Sequence, residues 1–283
     1  MHHRISVAVL AVLAVSVPAA AEDWSQTFAV KGTPEVVLKL NDGHIKVVGW
    51  NRPEVQAAVI ATGYDRSDYE VRPRQSGDRV EIEVKKFPEA DHGLRGLGRN
   101  RRFALEVSMP AKGNLEARTD DGHLELSGLA GKIQAHTGDG HISARDLEGS
   151  VELRTGDGHI SAGAVRGSLV ARTGDGHISV NGRFDDLELE TQDGHVSAGV
   201  EKGSAMRSNW HLRTGDGQVN VSLPSGFSAE LDASTGDGKV RVSWEGVDEP
   251  RPGEERSSFR GKIGGGGRLL TVRSGDGDIR IGR

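Results

Sequence analysis

Five histidines recur along this chain at a fixed spacing of 18 residues, and each stands two residues after an aspartate. The histidines are His123, His141, His159, His177 and His195, and the aspartates are Asp121, Asp139, Asp157, Asp175 and Asp193. Imidazole and carboxylate groups at such a spacing could hold a divalent metal ion between successive copies. Two observations weigh against a metal: later copies carry Gln218, Lys239 and Asp278 in the place of the histidine, and no groups that would orient the rings are evident. We therefore assign no metal and no cofactor, and we retain both rows as a candidate ligand-binding surface.

Arginines placed just before the same motif supply a second candidate binding surface. Arg154 and Arg172 each stand immediately before a threonine and three residues before an aspartate, as do Arg118 and Arg213. We expect each guanidinium to pair with the aspartate across the turn, and an exposed pair of this kind contributes about 0–1 kcal/mol. A row of arginines could also recognise acidic glycans, and this alternative stays open.

The acidic residues do not form the kind of cluster that catalysis requires. A glycosidase needs one pair of acids with separated pKa values, whereas this chain repeats its acids identically. The chain has no cysteine and neither a GxSxG nor an HExxH motif. A calcium-binding nonapeptide array would need its Gly-Asp pattern twice in 18 residues, but GDG occurs once. We predict that the protein is not an enzyme.

The elements that position these side chains are short, repeated strands. The unit reads GDGHISA at 138–144 and 156–162 and GDGHISV at 174–180, and on either side of it apolar and polar residues alternate. Such alternation is typical of a strand with one buried face. The inward residues fall into columns, for example Leu115, Ile133, Val151, Leu169 and Leu187 before the motif and Leu124, Ile142, Ile160, Ile178 and Val196 after it. We expect Gly156 and Gly158 to bend the chain through positive φ angles and Asp157 to hold the turn.

Two arrangements of short strands fit this repeat. An antiparallel meander has no reason to keep like residues in register every 18 positions. In a solenoid each 18-residue unit is one coil, and like positions stack about 4.8 Å apart. We predict an all-β fold, a β-solenoid (β-helix) with coils of about 18 residues, and we favour right-handed winding.

The chain divides into a leader and two β-rich regions. Residues 1–21 have the charged start, short apolar run and small-residue end of a signal peptide, so we predict export to the periplasm, the cell surface or the medium. We assign 22–112 to N-terminal capping coils with an exposed loop at 87–102, and 113–283 to regular coils with an insertion at 246–267. No segment of the mature chain has the apolar length of a transmembrane helix.

Composition limits both the core and the partners. The chain has 40 glycines among 283 residues, only 4% aromatic residues and 35% hydrophobic residues, which favours a narrow, repeated core over a large round one. The absence of cysteine excludes disulfides. The mild net charge of -5 gives no indication of a nucleic-acid partner.

The leader, the serial TGDGxI units and the closing SGDGDIRI at 274–281 together resemble the bacterial putative-adhesin family of exported β-strand-repeat domains of unknown function. The resemblance spans nearly the whole mature chain. It implies an exported or envelope-associated β-solenoid and supplies no residue roles. We predict a non-enzymatic envelope-associated scaffold or adhesin-like binding protein, whose partner is an envelope or surface component such as a polysaccharide. The alternative is a metal- or acidic-glycan-binding module that uses the outward His, Asp and Arg rows.

Overall fold

The computed structural model describes residues 24–87, 101–247 and 256–283. The predicted leader lies outside these ranges, as do most of the predicted loop at 87–102 and the centre of the predicted insertion at 246–267. The described ranges contain one turn of 3-10 helix (Arg66–Asp68) and no helix long and apolar enough to cross a membrane. Their strands are β1 (Trp24–Ala29), β2 (Glu35–Asp42), β3 (His44–Trp50), β4 (Glu54–Thr62), β5 (Tyr69–Ser76), β6 (Arg79–Lys86), β7 (Arg102–Pro110), β8 (Asn114–Asp121), β9 (Leu124–Asp139), β10 (Ile142–Thr155), β11 (Ile160–Asp175), β12 (Ile178–Asp193), β13 (Val196–Val200), β14 (Trp210–Asp216), β15 (Val219–Ser222), β16 (Ala229–Asp237), β17 (Val240–Ser243), β18 (Ser258–Ile263), β19 (Leu269–Asp276) and β20 (Ile279–Gly282).

The middle of the chain is a parallel stack of coils in register. Strands β8 to β12 pair parallel with their neighbours along the chain, so that Ile142 lies beside Ile160 and Ile160 beside Ile178. Each step is 18 residues, the spacing of the sequence repeat. The all-β solenoid prediction is therefore confirmed, and the antiparallel meander is wrong for this region because like residues stack in parallel.

The alternation of apolar residues sets which side chains enter the core. Both predicted columns of apolar residues are buried along their whole length, and the residues that alternate with them along the strands are exposed or only partly buried. A column of polar side chains is also buried, namely Thr119, Thr137, Thr155, Thr173 and Thr191, continued by Thr214, Thr235 and Ser274. The core is therefore a narrow column of side chains enclosed by the successive coils, as the low content of hydrophobic residues predicts.

The corner glycines follow the sequence prediction only in part. Neither Gly156 nor Gly158 has a φ angle in the left-handed region, whereas Gly176, the equivalent of Gly158 in the next coil, has φ 154°. Gly158 is required by space, because a Cβ atom on it would lie 2.0 Å from the carbonyl oxygen of Gly140 in the preceding coil. At the second corner Gly149 has φ 111°, and the non-glycine residues Asp146 and Ala164 both have φ 54°.

At both ends of the rod the spatial order of the coils departs from chain order. The coil formed by β19 and β20 lies between the β14–β15 coil and the β16–β17 coil. Likewise, the β2–β3 coil lies between the β6–β7 coil and the first regular coil of β8 and β9. Antiparallel strands follow at each end: β18 on β16, β5 on β6, and β4 on β7. Part of the predicted insertion at 246–267 is therefore a strand that lies along the last coil.

Candidate functional site

The five histidines form one stacked column on the outside of the solenoid, which we call the histidine ladder. Each ring lies two residues after a corner aspartate and directly precedes a buried apolar residue, so the alternation of the strand turns it outward. Successive ring centroids are 5.0, 4.9, 4.8 and 4.7 Å apart from His123 to His195, and the ring planes differ by only 5° to 7°. His44, in the coil before His123, continues the column with a tilted ring at 4.9 Å.

Each ring of the ladder accepts a hydrogen bond from the backbone of the next coil. The backbone N–H of His159 donates to Nδ1 of His141 at 3.0 Å, and the N–H of His177 donates to Nδ1 of His159 at 2.9 Å. His123, His177 and His195 accept in the same way from the residue one coil further on, at 2.9 to 3.0 Å. Because Nδ1 must then carry a lone pair, all five imidazoles are neutral with the proton on Nε2.

The surroundings of the ladder oppose protonation. Although the rings are exposed at the surface, partial desolvation lowers the pKa of His123, His141 and His177, and the neighbouring imidazoles lower it further because two charged rings in successive coils would repel each other. These directions agree with the hydrogen bonds, since a proton on Nδ1 would face a backbone N–H.

The same hydrogen bonds bear on the metal alternative. In this tautomer neither ring nitrogen offers a free lone pair, so a metal ion would have to displace either the backbone N–H at Nδ1 or the proton at Nε2. Among the described residues no group of three or more His, Asp or Glu side chains is arranged to hold a metal ion.

A row of serines runs parallel to the ladder, two residues further along each strand. Together His141, His159, His177, His195 and Ser143, Ser161, Ser179, Ser197 make up what we call the His–Ser face. All eight side chains are exposed, while the apolar residue between each His and Ser is buried. Rows of like groups therefore run along the rod axis, and His and Ser lie about 6.6 Å apart along each strand.

The predicted aspartates form a third row at the corner next to the ladder. Asp157 lies beside Asp175, and Asp175 lies beside Asp193, in parallel register. Within the part of the chain that the structure describes, no basic side chain pairs with any of the five aspartates at 121, 139, 157, 175 and 193. This corner therefore carries uncompensated carboxylates beside the neutral histidines.

The arginines lie apart from the ladder, and the prediction of their partners was wrong. Arg118 pairs with Glu116 at 2.9 Å, Arg154 with Glu152, and Arg172 with Glu188. Residues two apart lie on the same side of a strand, whereas the aspartate lies beyond the sharp corner. Arg118, Arg154 and their glutamates line a shallow cavity that none of the ladder residues shares.

Sequence reasoning missed the hydrogen bonds that hold the sharp corner together. The hydroxyl of Thr155 donates to the carbonyl oxygen of Gly140 in the preceding coil at 2.9 Å, and Thr173 donates to Gly158 at the same distance. The other six members of the column also donate to a glycine carbonyl oxygen of the adjacent coil, and the last two of them are Thr235 and Ser274. The available signal was a polar residue at an inward position in every copy, since a buried hydroxyl must find a partner.

The stacked coils and their ladders of identical side chains define a β-solenoid repeat protein. The model of the Toastrack DUF4097 family matches residues 38–282, and the chain belongs to this family. No curated protein matches the chain.

Two solved bacterial structures resemble this chain. A putative adhesin from Bacteroides fragilis is 11% identical, with 93% of this chain and 98% of that chain covered and a TM-score of 0.44. A putative cell adhesion protein from Clostridium sporogenes is 17% identical, with 92% and 98% covered and a TM-score of 0.31. The family match confirms the predicted membership in a family of β-strand-repeat domains of unknown function. TM-scores this low give no correspondence of individual residues.

Proposed function

We propose that this protein is an exported, non-enzymatic component of the cell envelope that acts as an adhesin-like binding scaffold through its His–Ser face. The observation that carries the proposal is the continuity of that face: identical outward side chains repeat over four successive coils at one spacing. A face of this kind offers the same contact many times over. It suits a repetitive partner such as a polymer better than a single small molecule.

The alternative functions receive less support from the geometry. Metal binding at the ladder competes with five backbone hydrogen bonds. Acidic-glycan binding through the arginines competes with the glutamates that already pair with Arg118, Arg154 and Arg172.

Export and envelope association can be tested on the full chain with a C-terminal tag. We expect mass spectrometry to find a mature protein that begins at Glu22, and cell fractionation to place it outside the cytoplasm. Full-length protein that stays in the cytoplasm would overturn the proposal.

The role of the face can be tested with two matched triple variants. The ladder variant carries His141→Asn, His159→Asn and His177→Asn. Asparagine keeps an acceptor near the position of Nδ1, and a similar bond already exists where Asp278 Oδ1 accepts from the Lys239 N–H at 3.0 Å. Its amide N–H groups lie near the position of the ring Cδ2, so they do not reach the outer edge where the histidine carries Nε2–H. We expect this variant to fold and to sediment poorly with isolated cell envelopes.

The arginine variant, Arg118→Gln, Arg154→Gln and Arg172→Gln, changes the same number of exposed residues away from the ladder. We expect it to sediment with envelopes as the unmodified protein does. If the arginine variant alone loses binding, the acidic-glycan alternative replaces the proposal.

A further inference from the structure

We propose that the His–Ser face, on which the proposed function rests, binds an extended, uncharged polysaccharide whose chain runs along the axis of the rod. The histidine ladder presents only hydrogen-bond donors to the solvent. Since every Nδ1 of the ladder is occupied by a backbone N–H, every proton lies on Nε2, at the outer edge of an exposed ring. Among the described residues no protein group accepts from these edges.

The neighbouring rows supply the complementary groups. The hydroxyls of Ser143, Ser161, Ser179 and Ser197 can donate or accept, and no protein group within the described ranges bonds to them. The aspartates at the adjacent corner can only accept when ionised. A sugar hydroxyl is both a donor and an acceptor, so a polyhydroxylated chain satisfies all three rows.

The charge of the face selects between neutral and acidic glycans. The histidines are neutral, the serines are neutral, and the aspartate row beside them has no basic partner in the described part of the chain. A polyanion would therefore approach uncompensated carboxylates, while the arginines at 118, 154 and 172 lie elsewhere and are already paired with glutamates. Arg280 and Arg241 continue the serine row in the last two coils, beyond the His–Ser face, and both pair with Asp278. The balance of charge favours an uncharged ligand.

The spacing of the rows favours a chain along the rod axis. From His123 to His195 the donors advance in four successive steps of 4.7 to 5.0 Å. An extended β-linked pyranose chain advances by a similar length with each sugar, so successive sugars can meet successive rings in the same way. Each contact is weak and exposed, and binding strength comes from their repetition.

The test uses the mature protein with defined six-sugar probes: cellohexaose and fully N-acetylated chitohexaose as uncharged chains, and hexagalacturonate as the acidic chain. We expect the imidazole NMR signals of the ladder to shift with the uncharged probes and calorimetry to detect binding that strengthens with chain length. In the ladder variant the affinity should fall about ten- to hundredfold, because three donor edges are lost. The arginine variant should bind as the unmodified protein does.

The outcomes separate this inference from the proposed function. Binding of hexagalacturonate without binding of the uncharged probes would overturn it, as would ladder signals that do not move at millimolar cellohexaose or chitohexaose. If envelope sedimentation still depends on the ladder in that case, the proposed function stands and only the ligand class is wrong. The titration of the unmodified protein is decisive even if the ladder variant fails to fold.

Discussion

When the pH is lowered from about 8 to about 5, we expect the folded protein to lose stability through the histidine ladder. The folded-state pKa of His123, His141 and His177 is lowered, first by burial and then by neighbouring imidazoles. The unfolded chain, with a histidine pKa of about 6.5, therefore takes up protons before the folded chain does. By linkage, the ladder's contribution is complete above about pH 6.5 and is lost as the pH falls toward the lower folded values.

The hydrogen bonds of the ladder set the size of the effect. Protonation turns Nδ1 from an acceptor into a donor, and the three backbone N–H groups bonded to His123, His141 and His177 then lose their partner. Each such bond contributes about 0.5–1.5 kcal/mol, so protonation of these three rings removes about 3 kcal/mol. Repulsion between the charged rings adds to this loss, but solvent screens it because the rings are exposed. A loss of a few kcal/mol is a large part of the roughly 5–15 kcal/mol that stabilises a typical domain.

Urea unfolding followed by circular dichroism at a series of pH values measures this loss. The ladder variant is the control, since three of its five rings are replaced by asparagine, which does not titrate in this range. We expect its loss of stability between about pH 8 and pH 5 to be less than half that of the unmodified protein, because most carboxylates stay ionised over this interval. Equal losses in the two proteins would refute the role of the ladder.

Three further predictions concern the packing of single coils. Gly158→Ala should destabilise by about 3 kcal/mol or more, because its Cβ would lie 2.0 Å from the Gly140 carbonyl oxygen, whereas Gly163→Ala, whose Cβ would meet its nearest atom at 3.4 Å, should change little; equal melting temperatures would contradict this. Thr155→Val should cost about 1–3 kcal/mol by removing the donor to Gly140, and Thr155→Ser should restore most of it in denaturant unfolding; a neutral valine would show that the hydroxyl is not needed. Ile160→Asp should destabilise by about 4 kcal/mol or more by placing a carboxylate in the apolar stack, against about 1 kcal/mol for His159→Ala, and similar small losses would overturn the inward and outward assignment.

The repeat predicted most of the middle of the fold for a simple physical reason. Parallel strands align like residues, so a constant 18-residue spacing fixes the register, and period-two alternation fixes which residues, such as Ile160, are buried. The order of the coils at the ends was not predictable in this way. The insertions there vary in length, and the sequence of β19 and β20 fits the neighbourhood of β14 as well as that of β16.

The candidate site was predicted in position but not in chemistry. Alternation placed His159 outside, but no feature of the sequence indicated that its Nδ1 would accept the N–H of His177 in the next coil. That bond arises only when two coils stack at the spacing of the parallel strands. The prediction for Arg154 was wrong for a similar reason. Asp157 is only three residues away along the chain, but the corner turns it away, and Arg154 pairs with Glu152 instead.

The later coils help to separate the structural role of the ladder from its binding role. At the equivalent position Asp278 accepts the backbone N–H of Lys239 with Oδ1, and Gln218 instead accepts from Arg280 while its coil still stacks in register. A carboxylate can therefore make the backbone bond, and a coil can stack without it. Histidine in five successive coils adds what neither replacement offers in the same place, a neutral ring with an N–H at its outer edge. If backbone pairing alone governed this column, asparagine or aspartate would serve as well as histidine. The run of histidines is therefore better explained by the outward Nε2–H than by the backbone bond to Nδ1. The ladder variant removes the Nε2–H and leaves an acceptor for the backbone bond in place.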